Sequence, residues 1–504
     1  MEQNAQKEVR PPYGVIAILM VGAFIAFLNN TLLNIALPSI MEDLKVGPSI
    51  VQWLTTGFML VNGILIPTTA FLIQKYSVRY LFLAAMLLFT IGTVLAGSAD
   101  VFAVLLSGRM LQASGSAILM PVLMNVMLVS FPVEKRGVAM GFFGLILMFA
   151  PAIGPTLSGW IIEHYDWRML FHFVTPIAIL VLLIGFLKLK DKKEKQDLKL
   201  DLISLLMSSI AFGGILYGFS SAGSKGWGSF QVYGTIILGS IFLVLFIIRQ
   251  LNERLPMLNF KVYKYPMFAL SSAISMVVNM ALFSGMLLLP IYTQNLRGIT
   301  PMDAGLLMLP GAVLMAVMSP VTGRLFDKFG GRILAVTGLA ILVITSFEFS
   351  RLTLETSYMH LILIYSIRSF GMSMVLMPVS TNGLNQLPAR LYPHGTAMNN
   401  TMNQVSGAIG TALLVSLMTT RTSTHIEEMT KSAMAAAGTQ PSAASMAEMK
   451  QQIVMKATLE GINEAFLVAT GIAAVAFILA FFIKRVNQAS EPAVENSMRK
   501  ASGE

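Results

Sequence analysis

Apolar positions along this chain come in long, nearly unbroken runs rather than in the alternation of half-buried strands or one-faced helices. Runs of roughly twenty such residues, enough to cross a bilayer as a helix, fall near 13–36, 50–74, 80–98, 101–130, 136–162 and 168–187. Eight more fall near 202–221, 230–248, 267–291, 303–322, 332–350, 357–381, 395–419 and 459–483. The breaks are short except at two places. KLKDKKEKQDLKLD, 188–201, is a solvated lysine-rich linker, and 420–458 lacks the apolar run to span and is interrupted at Gly438 and Pro441. Helical pieces near 424–436 and 444–457 are expected to cap the mouth there. The pattern predicts an all-α integral membrane protein of fourteen spans with both termini on one side.

Residues 141–160, GFFGLILMFAPAIGPTLSGW, carry more than length. Gly141, Ala150, Gly154, Ser158 and Gly159 recur at roughly helical spacing, which lets another helix approach closely, and Pro155 removes an internal hydrogen bond and bends the segment. Charge within a span is the opposite signal. Arg109 lies about eight residues into the fourth run and Arg368 at nearly the same depth in the twelfth, where a cation is costly and turns to a cavity or a partner.

The second half of the chain repeats the first. GRLFDKFGGR at 323–332 answers AFLIQKYSVR at 70–79, LMPV recurs at 119 and 376, RGVAMG at 136 is echoed by HGTAMN at 394, and PAIGPTL at 151 by GAIGTAL at 407. Two six-helix bundles are implied, 13–187 and 267–483. The pair of spans in 202–248 is inserted between them, with a loop at 249–266 and tails at 1–12 and 484–504.

Composition sharpens the class. Hydrophobic residues make up 55% of the chain, charged residues only 12%, and mean hydropathy is +0.72. The net charge of +10 is explained by Lys and Arg held in cytoplasmic loops, not by nucleic-acid binding. Most of the 35 Lys and Arg fall on the side of the termini, which places both termini in the cytoplasm. Trp53, Trp160, Trp167 and Trp227 sit at the opposite ends of their spans, as in an outer aromatic belt. The first run, preceded by Glu2, Lys7, Glu8 and Arg10, reads as an uncleaved span entering the membrane from residue 13 onward. The absence of cysteine excludes disulfides, thiolate catalysis and cysteine-ligated metal. No metal or cofactor is expected.

Several motifs resemble those of major-facilitator drug exporters. The stretch 141–160 resembles the antiporter motif of the fifth helix, with Ser158 where glycine is usual. GRLFDKFGGR, containing Gly323, Arg324, Asp327 and Arg332, resembles the family's gate loop, whose first copy here has Ala70, Gln74 and Ser77 in place of glycine, aspartate and glycine. LLSGRMLQASGSA, 105–117, resembles the fourth-helix motif through Arg109, Gln112 and Gly115. FLNNTLLNIALPSI, 27–40, resembles the first-helix signature of the fourteen-span members, and WRMLF at 167–171 their WRWIF-type loop. The chain is thus identified as resembling the fourteen-helix drug:proton antiporters of EmrB/QacA type, LmrB-like.

The resemblance implies a monomeric exporter of the bacterial cytoplasmic membrane that exchanges amphipathic drugs for protons across the lipid bilayer. A cavity is expected around Asn29, Asn30, Asn34, Asn62, Arg109, Gln112, Asn279 and Arg368. Relatives carry an acid where this chain has Asn29, and an amide cannot take and release a proton near neutral pH. Coupling then falls to Asp303, Glu464, Glu348, Glu163 or His172. A lipid or glycolipid flippase and an exporter of an endogenous metabolite are the second readings on the same fold. An intramembrane enzyme is disfavoured by the absence of HExxH and GxSxG, a sensor by the costly paired arginines, and an ATP-driven pump by the lack of any Gly-Lys pair for a P-loop.

Overall fold

The computed structural model describes residues 12–46, 48–51, 53–190, 201–253, 256–436 and 443–485. Long helices occupy each predicted position. They are α1 Tyr13–Asp43, α2 Trp53–Lys75, α3 Val78–Gly97, α4 Phe102–Ser130, α5 Arg136–His164, α6 Met169–Lys188 and α7 Leu202–Lys225. The chain continues with α8 Phe230–Asn252, α9 Pro266–Ile291, α10 Pro301–Phe329, α11 Gly331–Phe349, α12 Tyr358–Asn385, α13 Tyr392–Ala436 and α14 Ala443–Ala480. No strand occurs among the described residues. Eleven of the helices, again among the described residues, are long and apolar enough to cross a membrane. The end of the molecule where α1 begins is called here the base, the other end the crown.

Backbone chemistry sets the helix limits. Ser77 caps α3 by accepting from the Tyr80 N–H, and Asp201 caps α7 by accepting from the N–H groups of Ile203 and Ser204. Prolines interrupt the internal ladder at Pro121 of α4, Pro176 of α6 and Pro310 and Pro320 of α10. α2 tightens to a 3-10 turn at Ile66–Thr68, around Pro67.

Helices α1 to α6 pack on one another, as do α9 to α14, and the broadest contact between the two sets is α5 against α10. The pair α7 and α8 lies beside α2 and α13, where Trp227 Nε1 donates to Ser416 Oγ at 2.5 Å. Small residues decide where helices touch. A Cβ on Gly92 would come within 2.6 Å of the Gly108 carbonyl oxygen, so α3 and α4 meet backbone to backbone.

The segment 420–458 differs from the separate capping helices expected. α13 runs unbroken for 45 residues, about 67 Å, and α14 for 38, so both helices continue past the crown as a hairpin. Their exposed upper turns are polar but rich in strong helix formers, and each is nucleated by the apolar helix below it. Gly438 and Pro441 lie outside the described residues, as does nearly all of the 188–201 linker. Trp167 departs from the belt. It is 2% exposed, and its indole Nε1 donates to Asp43 Oδ2 at 3.1 Å, which pulls it off the lipid.

Candidate functional site

Arg109 is 1% exposed and held by neutral partners. Its terminal nitrogens donate to Gln112 Oε1 and to Asn30 Oδ1 on α1, each at 2.9 Å, and the Phe58 ring of α2 lies 4.4 Å from the guanidinium carbon. Gln112 is fixed in turn by donating to Thr93 Oγ1 of α3 at 2.8 Å. Four helices therefore meet at one guanidinium. Asn29 is 2% exposed, its Oδ1 without a hydrogen-bond partner among the described residues. Asn62 is buried but closes on its own helix, donating to the Phe58 carbonyl. The side chains of Asn34 and Pro155 lie outside those described.

The second half builds a related but different cluster. Arg368 donates to Ser346 Oγ at 2.9 Å and to the Ala281 carbonyl at 2.8 Å. Gly285 of α9 lies against it, since a Cβ there would sit 3.2 Å from Nε. Asn279 bridges α9 to α13 by donating to Asn403 Oδ1 at 3.1 Å. Each arginine thus ties its own set of helices together.

The antiporter-motif residues sort by depth. Toward the base, Gly141 faces α10, where an added Cβ would come within 2.6 Å of the Ser319 carbonyl oxygen and 2.9 Å of Pro320 Cα. Ser319 Oγ closes that seam by donating to the Gly141 carbonyl at 2.7 Å. Toward the crown the motif turns to α1 instead. Thr31 donates to the Ala150 carbonyl and lies against Gly154, and Ser158 donates to the Leu32 carbonyl at 2.7 Å. Ser158 in place of glycine therefore adds a helix-to-helix hydrogen bond. Gly159 has open space where a side chain would stand.

At the base the gate loop acts as a cap. Asp327, at the end of α10, accepts from the backbone N–H groups of Gly137 at 2.8 Å and Val138 at 3.1 Å, the first turn of α5. A carboxylate thus satisfies the orphan donors of a helix in the other half, with the favourable sign for the helix dipole. Gly323 and Gly137 allow the approach, because a Cβ on Gly323 would meet the Gly137 carbonyl oxygen at 2.2 Å. Arg324 and Arg332 are exposed. Arg485 takes part, donating to the Asp327 carbonyl at 2.9 Å.

The repeat predicts where the companion clasp should lie, and the structure fills it with different chemistry. Gln74, in the place of Asp327, meets His394 Nε2 at 3.1 Å in the first turn of α13, and His394 Nδ1 accepts from the Asn259 N–H at 3.2 Å. His394 is 5% exposed. Burial holds its imidazole well below the usual range, at about 4. Arg136, the residue matching His394, reaches Asn385 Oδ1 at 3.1 Å and the Tyr392 hydroxyl at 2.7 Å. Asp327, Arg136, Gln74 and His394 thus tie one half to the other at the base. Arg136 and His394 carried no sequence signal beyond the RGVAMG and HGTAMN echo.

The acids near the crown are dispersed. Asp303 is exposed in the first turn of α10, where its Oδ2 accepts from Thr300 Oγ1 at 2.8 Å, and Glu348, Glu163 and His172 are exposed. Glu464 is different. Its two oxygens meet Arg421 Nε and His425 Nε2, each at 2.8 Å, and His425 Nδ1 lies 3.6 Å from Glu428.

Two sets of helices clasped at one end, each with a fully buried arginine in a matching helix, form the frame of a membrane transporter. Residues 19–411 match the family model of the Major Facilitator Superfamily, and the chain belongs to that family. It is 50% identical over 429 residues to the uncharacterized MFS-type transporter YhcA of Bacillus subtilis, covering 85% of this chain and 81% of that one. The lincomycin resistance protein LmrB of the same organism is 41% identical, over 96% of this chain and 97% of its own. Among solved structures, the human organic anion transporter MFSD10 (TETRAN) shares the fold with a TM-score of 0.66 at 13% identity, over 94% of this chain and 100% of that one. The protein is a multi-pass membrane protein, and its bacterial relatives agree with the cytoplasmic membrane as its location.

Proposed function

We propose that this protein is a secondary active exporter that moves lipophilic or amphipathic drugs out of the cell by alternating access, in exchange for protons. In this reading all fourteen helices cross the membrane as two six-helix halves with α7 and α8 inserted, the base faces the cytoplasm, and one chain is the working unit. The observation that carries it is the clasp of Asp327 on the first turn of α5. Both of its bonds across the seam run from a helix end of one half to a side chain of the other, so the halves can part at the base without either unfolding. The lincomycin resistance relative supports drugs as cargo. For the proton, Glu464 is the leading group of the five candidates, since it alone pairs with an imidazole and a guanidinium in a half-buried site at the crown.

Everted membrane vesicles with an acid interior test this. They should accumulate an amphipathic drug from a panel of dyes, macrolides, lincosamides and quinolones, and a protonophore should collapse the accumulation. Glu464→Gln should lose gradient-driven uptake while keeping downhill exchange. Accumulation indifferent to the protonophore would overturn proton antiport.

A further inference from the structure

The Arg109 site holds a charge that nothing around it balances. No Asp or Glu occurs between residues 44 and 99, between 101 and 133, or between 135 and 162, so the interiors of α2, α3, α4 and α5 contain no carboxylate. Of the acids on α1, Asp43 is at the crown end in an ion pair with Arg168 at 2.9 Å. Arg109 is 1% exposed, and what it touches, Asn30, Gln112 and Phe58, is neutral. Amide oxygens offer partial charges only, and a buried cation without a countercharge is in the most costly state available to it.

One edge of the guanidinium is also free. Arg109 Nε is buried with no hydrogen-bond partner among the described residues, whereas both terminal nitrogens are engaged. Nε and the adjacent terminal nitrogen form the fork that receives a carboxylate with two parallel bonds. The Phe58 ring, 4.4 Å from the guanidinium carbon, gives the site an apolar neighbour suited to the body of an amphiphile. A cationic group would meet the same uncompensated charge and be repelled.

We propose that Arg109 is the binding group for the cargo's anionic head, and that the preferred cargo is an amphiphile bearing a carboxylate, received on the unpartnered Nε edge. This rests on the exporter reading above. The countercharge missing from the protein is then supplied by the cargo. Its departure carries negative charge outward, so an inside-negative potential drives export, by roughly fifty-fold in concentration per 100 mV for a single charge.

Two readouts separate the site from the transport. Purified protein in phosphatidylcholine nanodiscs is titrated with a dansyl-labelled fatty carboxylate and with its trimethylammonium counterpart of equal length. The carboxylate should bind the more tightly. Arg109→Gln should weaken it roughly thirty-fold or more and should not weaken the ammonium compound, whose repulsion it relieves, and Arg109→Lys should restore part of the loss, which a variant damaged only in folding would not do. Displacement by phosphatidylglycerol would assign the same anion chemistry to a lipid head group rather than to a free amphiphile. In proteoliposomes the wild-type protein should export the carboxylate faster when valinomycin and potassium set the interior negative. Binding that is blind to charge, or unaltered in Arg109→Gln, overturns the proposal. Charge-selective binding with no export of any amphiphile would instead retain the site and overturn the exporter reading.

Discussion

At the scale of single residues, the base clasp depends on charge meeting helix ends. Asp327 accepts two backbone N–H groups of α5, and hydrogen bonds to a charged group are worth about 1.5–3 kcal/mol each. Asp327→Ala should therefore shift the open-to-closed ratio at the base by roughly ten-fold or more. The chain has no cysteine, so a lone thiol placed at Ser319, buried in the seam against Gly141, reports it directly. Its labelling by an impermeant maleimide from the base side should accelerate by that factor, and an unchanged rate would remove Asp327 from the clasp. Arg109 and Gln112 were legible in the sequence because a charge in an apolar run needs a reason, and the partner Asn30 lay within the stretch singled out. Arg136 and His394 were not, because cations at the base ends of spans are what topology alone already expects.

At the scale of elements, the seam between α5 and α10 is a backbone contact made possible by small residues. A Cβ on Gly141 would press on the Ser319 carbonyl oxygen at 2.6 Å and on Pro320 Cα at 2.9 Å, and neither is the flexible end of a side chain. Gly141→Ala should force the helices apart, exposing the Ser319 thiol and slowing transport. Gly159→Ala, which meets open space, should do neither. The second clasp is tuned by protonation. His394 accepts the Asn259 N–H on Nδ1, which only the neutral ring can do, and its value near 4 lies below the ordinary 6.5. The clasp's contribution is thus complete above about 6.5 and is lost as pH falls toward about 4. The whole effect is on the order of 3 kcal/mol. A thiol at Asn259 should become more reactive, beyond the intrinsic pH dependence of thiols, between pH about 7.5 and about 5. His394→Gln should flatten that change. The repeat in the sequence located both clasps, but not that an amide and an imidazole would replace the carboxylate in one, since that exchange depends on what faces Gln74 across the seam. Likewise the small residues of 141–160 announced a close helix contact without saying that its base half meets α10 and its crown half α1.

At the scale of the whole molecule, all described hydrogen bonds between α1–α6 and α9–α14 lie toward the base, from Gln74 with His394 to Ser319 with Gly141. These bonds join the halves at one end, and the proposed alternating access requires that this end open in every cycle. Fourteen helices and their order could be read from apolar length alone, because each must bury its own backbone hydrogen bonds. Which end is closed could not, since it depends on contacts between segments hundreds of residues apart. The most direct measurement ties Gln74→Cys to His394→Cys with a short reversible bis-thiosulfonate bridge, in proteoliposomes exporting the dansyl carboxylate. The bridge should stop export, a reducing agent should restore it, and either cysteine modified alone should still permit it. Export at an undiminished rate with the bridge in place would contradict an exporter that works by opening at its base.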